Sequence, residues 1–172
     1  MVLAKILSKQ TVRLDVSNVD KWTVIKALVD LIIQSGKSRD RQAILSAVID
    51  REKRGSTGLE HGIAIPHARS ESVSELVAAL AVSKSGVDFD SADHKPCHLV
   101  FLIIAPPQES TRYLKALADV AFIGSEPARV AALTSAASPE EAISILQQMG
   151  GICPGNDATG GVRPVGRSSN SR

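Results

Sequence analysis

Apolar positions along this chain fall into three patterns, and each predicts a different kind of element. The first is helical spacing. Trp22, Ile25, Leu28, Val29 and Ile32 recur at three- and four-residue intervals with Gly36 beyond them, which predicts a helix over 21–34. A second helix is predicted over 39–53, with Ile44, Leu45, Val48 and Ile49 on one side and Ser38 placed to cap its start. The spacing returns over 110–123 through Leu114, Leu117, Ala118 and Ala121, and again over 126–136. A last helix is signposted at 138–149. Ser138 stands as N-cap, Pro139 in the first turn, and Glu140 and Glu141 at the positive end of the dipole.

The second pattern is the unbroken apolar run. Residues 76–83 and 99–105 have strand length and no polar alternation, as strands buried on both faces do; Pro106 and Pro107 stop the latter. The third is a short segment, 62–66. Ile63 and Ile65 point to one face there, and Pro66 ends the strand because it has no N–H for a ladder. The three glycines between 55 and 62 predict a loop before it. Strands interspersed with helices predict an α/β layer fold in which helices cover a sheet.

Composition narrows this picture. With 172 residues, 44% of them hydrophobic, the chain can build one domain with a true core. We expect that domain over 1–149. Residues 150–172 hold six glycines, two prolines and three serines, and are expected to form a disordered or loosely held tail. The formal charge of +2 lies wholly in that tail, so residues 1–149 are neutral. A nucleic-acid groove needs concentrated Lys and Arg, and a single-strand platform needs aromatics, of which there are only five. We therefore expect no nucleic-acid partner. No apolar run approaches the ~20 residues of a membrane span, and the start lacks the pattern of a signal peptide. Two cysteines, Cys97 and Cys153, make no disulfide framework, and a reducing cytoplasm is the expected compartment.

Among the four histidines, His67 has the most suggestive setting. It follows a short strand and a proline, beyond a glycine-rich loop, where an imidazole is held at a sheet end. There it can serve as nucleophile, general base or metal ligand, or as a loop histidine without chemistry. Asp88, Asp90, Asp93, His94 and His98 are dense in oxygen and nitrogen, but their spacing fits no defined zinc or calcium pattern. No metal and no cofactor are expected. Cys97 reads as a small buried hydrophobe, and the tail's Cys153-Pro154-Gly155 has no strand around it.

A longer motif adds to this reading. The stretch from Arg51 through Gly55-Ser56-Thr57-Gly58, His61-Gly62-Ile63-Ala64-Ile65-Pro66 and His67 to Arg69 resembles the phosphorylation-site signature of fructose/mannitol-type enzyme IIA domains of the sugar phosphotransferase system. That family also includes the nitrogen-regulatory IIA proteins. The resemblance runs on through 86–90, 95–99, 100–106 and the helix with Leu114 and Leu117, covering about residues 3–149.

What it implies is a mixed β-sheet between helices and a phosphocarrier. The histidine matching His67 accepts a phosphoryl group from phosphohistidine on HPr, or on its nitrogen-branch counterpart. It passes the group to a cysteine of an enzyme IIB partner, or keeps it as a regulatory mark. Arg51 matches the family's assisting arginine, a donor fork for phosphate. Ser56 and Thr57 offer hydroxyl or backbone donors, or simply cap the loop. His61 falls at the periphery.

Tyr113 stands where the family usually has a second histidine, and no histidine follows His98. A tyrosine donates a hydrogen bond but carries no positive charge at neutral pH. It serves the phosphoryl group or simply packs the helix. Leu59, Ile63, Ile65 and parts of helix 110–123 are candidates for an apolar docking rim. The rival expectation is a regulatory binding module that controls a transporter, kinase or transcription factor, with phosphorylation as its switch or lost.

Overall fold

Alternation within the strands divides the core in two. The computed structural model describes residues 1–152. Ala78, Leu80, Val82, Leu99, Phe101 and Ile103 join one apolar cluster, while Val77, Ala79, Ala81, Val100, Leu102 and Ile104 join the other. Successive strand residues point to opposite faces, so two continuous apolar runs supply both. The runs form β4 (Val77–Val87) and β5 (Cys97–Ala105), an antiparallel pair at the sheet centre.

Helices α2 (Lys21–Gln34) and α3 (Arg41–Lys53) contribute to one cluster, and α4 (Ser110–Gly124), α5 (Pro127–Thr134) and α6 (Pro139–Gly150) to the other. The chain is a three-layer α/β/α sandwich, as its pattern predicts. The sheet is mixed. β1 (Val12–Arg13) pairs parallel to β4, while β2 (Ile63–Ala64) and β3 (His67–Arg69) pair parallel to β5.

Several boundaries differ from the sequence reading. The edge strand resumes after Pro66 as β3, because a proline lacks an N–H but keeps its carbonyl, which accepts from Ile103 N–H at 3.1 Å. Helix α3 begins at Arg41 rather than Arg39, with Asp40 as its cap: the Asp40 carboxylate accepts from Ala43 N–H at 2.9 Å. Ser38 donates instead to the Ser72 carbonyl. Helix α5 is confined to Pro127–Thr134, with Glu126 as its N-cap. Ser138 does cap α6, accepting from Glu141 N–H at 3.1 Å. β1 and the short helix α1 (Leu3–Ile6) have no counterpart in the periodicity. The buried Asp119 carboxylate of α4 fixes α1 by accepting from the Val2 and Leu3 N–H groups. Residues 153–172, most of the expected tail and all of the Cys153 loop, lie outside the described residues. No helix of the described residues is long and apolar enough to cross a membrane.

Candidate functional site

The edge strand creates the site by how it bends. Ile65 precedes a proline and therefore stays extended. Its N–H donates to the Thr57 carbonyl at 3.0 Å, away from β5. Its carbonyl is left for a side chain, and His67 Nδ1 meets it at 2.6 Å. A carbonyl only accepts, so Nδ1 carries the proton and the lone pair lies on Nε2. Arg51, in the last turn of α3, donates from Nε to that Nε2 at 3.2 Å and from Nη1 to the Gly55 carbonyl at 3.1 Å.

Burial lowers the His67 pKa below the usual histidine value, and the nearby Arg51 cation lowers it further; the Ile65 carbonyl and the Glu52 carboxylate oppose them. At neutral pH the ring is a neutral nucleophile with one oriented lone pair.

Tyr113, in the first turn of α4, meets His67 edge-on, with ring centroids 6.1 Å apart. It is nearly buried and belongs to the core cluster, so it both packs the helix and flanks the imidazole. Burial raises its pKa. These groups border an open cavity of about 370 Å³, lined also by Asp50, Arg54 and Arg69. Three guanidinium groups against one carboxylate make it cationic, though residues 1–149 are neutral as a whole.

The structure brings Arg51, His67 and Tyr113 together. Ser56, Thr57 and His61 do not line the cavity. Ser56 Oγ donates to the Phe89 carbonyl and accepts from Gly58 N–H, so it shapes the loop. Thr57 is buried, with N–H and hydroxyl both donated to Glu52, at 3.1 and 2.6 Å. His61, at φ 66°, is tied through its backbone N–H to Asp93. Ile63 and Ile65 are buried in the core and form no docking rim, whereas Leu59 and Leu114 are exposed.

Sequence reasoning missed Glu52, Asp50, Arg54 and Arg69. Glu52 is a buried carboxylate on the opposite side of its helix turn from solvent, paired with Lys21 at 3.5 Å. A charged residue in an otherwise apolar stripe, with Ile44, Leu45 and Val48, is its only signal. The Asp/His cluster is divided among separate tasks: Asp90 pairs with Lys21 at 2.6 Å, Asp93 accepts from His61 and Lys95 N–H, and His98 Nδ1 meets the Ser83 carbonyl. Burial pushes the Cys97 thiol up to about 12, which leaves it protonated and unreactive.

The family model described as phosphoenolpyruvate-dependent sugar phosphotransferase system, EIIA 2, matches residues 5–149. The chain belongs to this enzyme IIA family. The fructose-specific EIIABC component of Bacillus subtilis is 36% identical over 148 residues, 86% of this chain and 23% of that protein. The fructose-specific EIIA component of Haloferax volcanii is 40% identical over 97 residues, 56% of this chain and 63% of its own. The chain thus spans under two thirds of each of these relatives. The crystal structure of nitrogen regulatory protein IIA-Ntr from Neisseria meningitidis superposes with a TM-score of 0.78 at 29% identity, covering 85% of this chain and 99% of that one. Both the sugar-specific and the nitrogen-regulatory branches of the family are represented among its relatives.

Proposed function

We propose that this domain carries a phosphoryl group on Nε2 of His67, taken from a phosphohistidine of an HPr-type donor and delivered to the cysteine of an enzyme IIB partner. The observation that carries the reading is the pair of bonds on the imidazole: Nδ1–H on Ile65 and a bare Nε2 under Arg51. In the transfer, the donor's N–P bond breaks and its electron pair returns to the donor ring. That ring leaves neutral when its other nitrogen carries a proton. The new bond forms on Nε2, and His67 keeps its Nδ1 proton on the Ile65 carbonyl. The ring then bears positive charge, which the Glu52 carboxylate offsets. Arg51 swings from nitrogen to phosphoryl oxygen, stabilising charge as it spreads over the equatorial oxygens.

The fused EIIABC naming of the Bacillus relative supports a IIB acceptor. Dependence on phosphoenolpyruvate supports a cytoplasmic setting. The likeness to nitrogen-regulatory IIA favours a second reading, in which the phosphoryl group is a switch on a regulated protein. Intact-mass spectrometry after incubation with phosphoenolpyruvate, enzyme I and HPr tests the first step. One acid-labile phosphoryl group is expected on the protein and none on His67→Ala. Loss of that group on adding a IIB protein supports the carrier reading. Phosphorylation-dependent binding without transfer supports the switch.

A further inference from the structure

Arg69 shares β3 with His67, and residues two apart on a strand project from the same face, about 6.6 Å apart along it. Its guanidinium is not adrift. Nη1 donates to Ser110 Oγ at 2.9 Å and to the Pro107 carbonyl at 3.3 Å, and Cζ lies 5.1 Å from the centroid of the Tyr113 ring. That ring also borders His67, so one aromatic platform separates and orients both groups. Among the described residues no carboxylate pairs with Arg69, and its Nε and Nη2 make no hydrogen bond. A fixed cation thus faces the cavity with donors to spare.

We infer that Arg69 is a second phosphoryl-binding residue, closing Nε and Nη2 on oxygens of the group held by His67, with Tyr113 as the platform that aims it. This rests on the phosphocarrier reading. The need is electrostatic. A phosphoryl group brings nearly two negative charges. Arg51 is aimed at Nε2 itself, and one guanidinium balances only half of that charge. Tyr113 is neutral and lends a hydroxyl at most, whereas a guanidinium held over its ring lends a full charge with a planar fork that fits two oxygens. The tether to Pro107 and Ser110 fixes the fork before the phosphoryl group arrives, so little rearrangement is needed.

A purely structural Arg69, tying β3 to the turn before α4, predicts a different outcome, and the phosphoryl group itself reports the difference. The 31P resonance of phosphorylated His67 is titrated with pH, its hydrolytic lifetime is measured, and uptake is timed with phospho-HPr and with phosphoramidate as a small donor. In Arg69→Gln, uptake from both donors is expected to fall about tenfold or more. The 31P midpoint is expected to rise and the lifetime to shorten. Arg69→Lys, which restores the charge without the fork, is expected to recover part of the rate and most of the midpoint. Arg41→Gln, which breaks only a surface pair with Asp30, serves as the control. A 31P midpoint and uptake rates unchanged in both Arg69 variants overturn the inference while leaving His67 phosphorylation in place. Slowing with phospho-HPr alone, at an unchanged midpoint, overturns it in favour of donor docking. Wild-type protein that takes up phosphoryl from neither donor overturns the phosphocarrier reading and this inference together.

Discussion

His67 and Glu52 show how single residues set the chemistry. Because burial holds the His67 pKa below its ordinary value, the ring stays neutral and nucleophilic down to a pH below about 6.5. An NMR titration of the His67 ring is expected to give a midpoint under that value. Phosphoryl uptake should hold its plateau across pH 6.5 and decline only near the lower midpoint. The linkage has a definite sign. The unfolded histidine protonates first as pH falls, so stability is fully present above about 6.5 and is lost on the way down to the folded midpoint. His67→Asn should flatten that part of the stability profile in urea titrations at several pH values. Glu52 acts on the same site from behind, accepting both Thr57 donors and pairing with Lys21. Glu52→Ala leaves the buried Thr57 N–H and hydroxyl without an acceptor, while Lys21 keeps Asp90, and is expected to cost about 2 kcal/mol in urea unfolding. Equal stability of variant and wild type would show that the network contributes nothing to the loop.

At the scale of elements, much of the architecture was legible because the long segments are strongly periodic. Helix α2 spans the residues its apolar stripe predicts, and β4 and β5 come from the two unbroken runs. Legibility failed where elements are shorter than a period or where the deciding contact is distant. Two-residue β1 and four-residue α1 cannot show a pattern, and β3 is a strand because of Ile103 across the ladder. Arg54 reaches the site with no local signal to separate it from other surface arginines, whereas Arg69 ends the motif and shares a face with His67 only because 67–69 is a strand. The cap of α3 illustrates the near miss: Ser38 and Asp40 are both good caps, and the backbone starts its turn at the second. This has a measurable consequence, since α3 carries Arg51 in its last turn and its first turn anchors that helix. Asp40→Ala is expected to destabilise by about 1 kcal/mol through the lost cap. Ser38→Ala loses instead a tie to the Ser72 carbonyl. Hydrogen exchange resolves the two, because only the Asp40 variant should speed exchange of the Ala43 amide. Gly58 marks a similar tertiary constraint. A Cβ there would stand 2.8 Å from Ser91 Cα and 2.9 Å from the Phe89 carbonyl oxygen, which is why the loop holds glycine at that point.

For the whole molecule, the telling contrast is a neutral body with a cationic cavity. Three guanidinium groups and a single carboxylate, Asp50, line one depression. Like charges held close in the folded state and dispersed in the unfolded chain destabilise the fold. A phosphoryl group on His67 reverses the local sign of that term by bringing nearly two negative charges among the arginines. Phosphorylation should therefore stabilise the protein as well as mark it. We expect the thermal midpoint of the phosphorylated form to exceed that of the free form by a few degrees at low ionic strength, on the order of 1 kcal/mol for a chain of this size. Salt provides the check on cause. At 1 M the screening length shrinks to about 3 Å, so the increment should contract if it comes from exposed guanidinium groups and persist if it comes from packing. Calorimetry of the two forms at low and high salt measures both. A lower midpoint on phosphorylation would mean that the phosphoryl group points away from the arginines, and that the cavity's charge serves a docked partner rather than the group His67 carries.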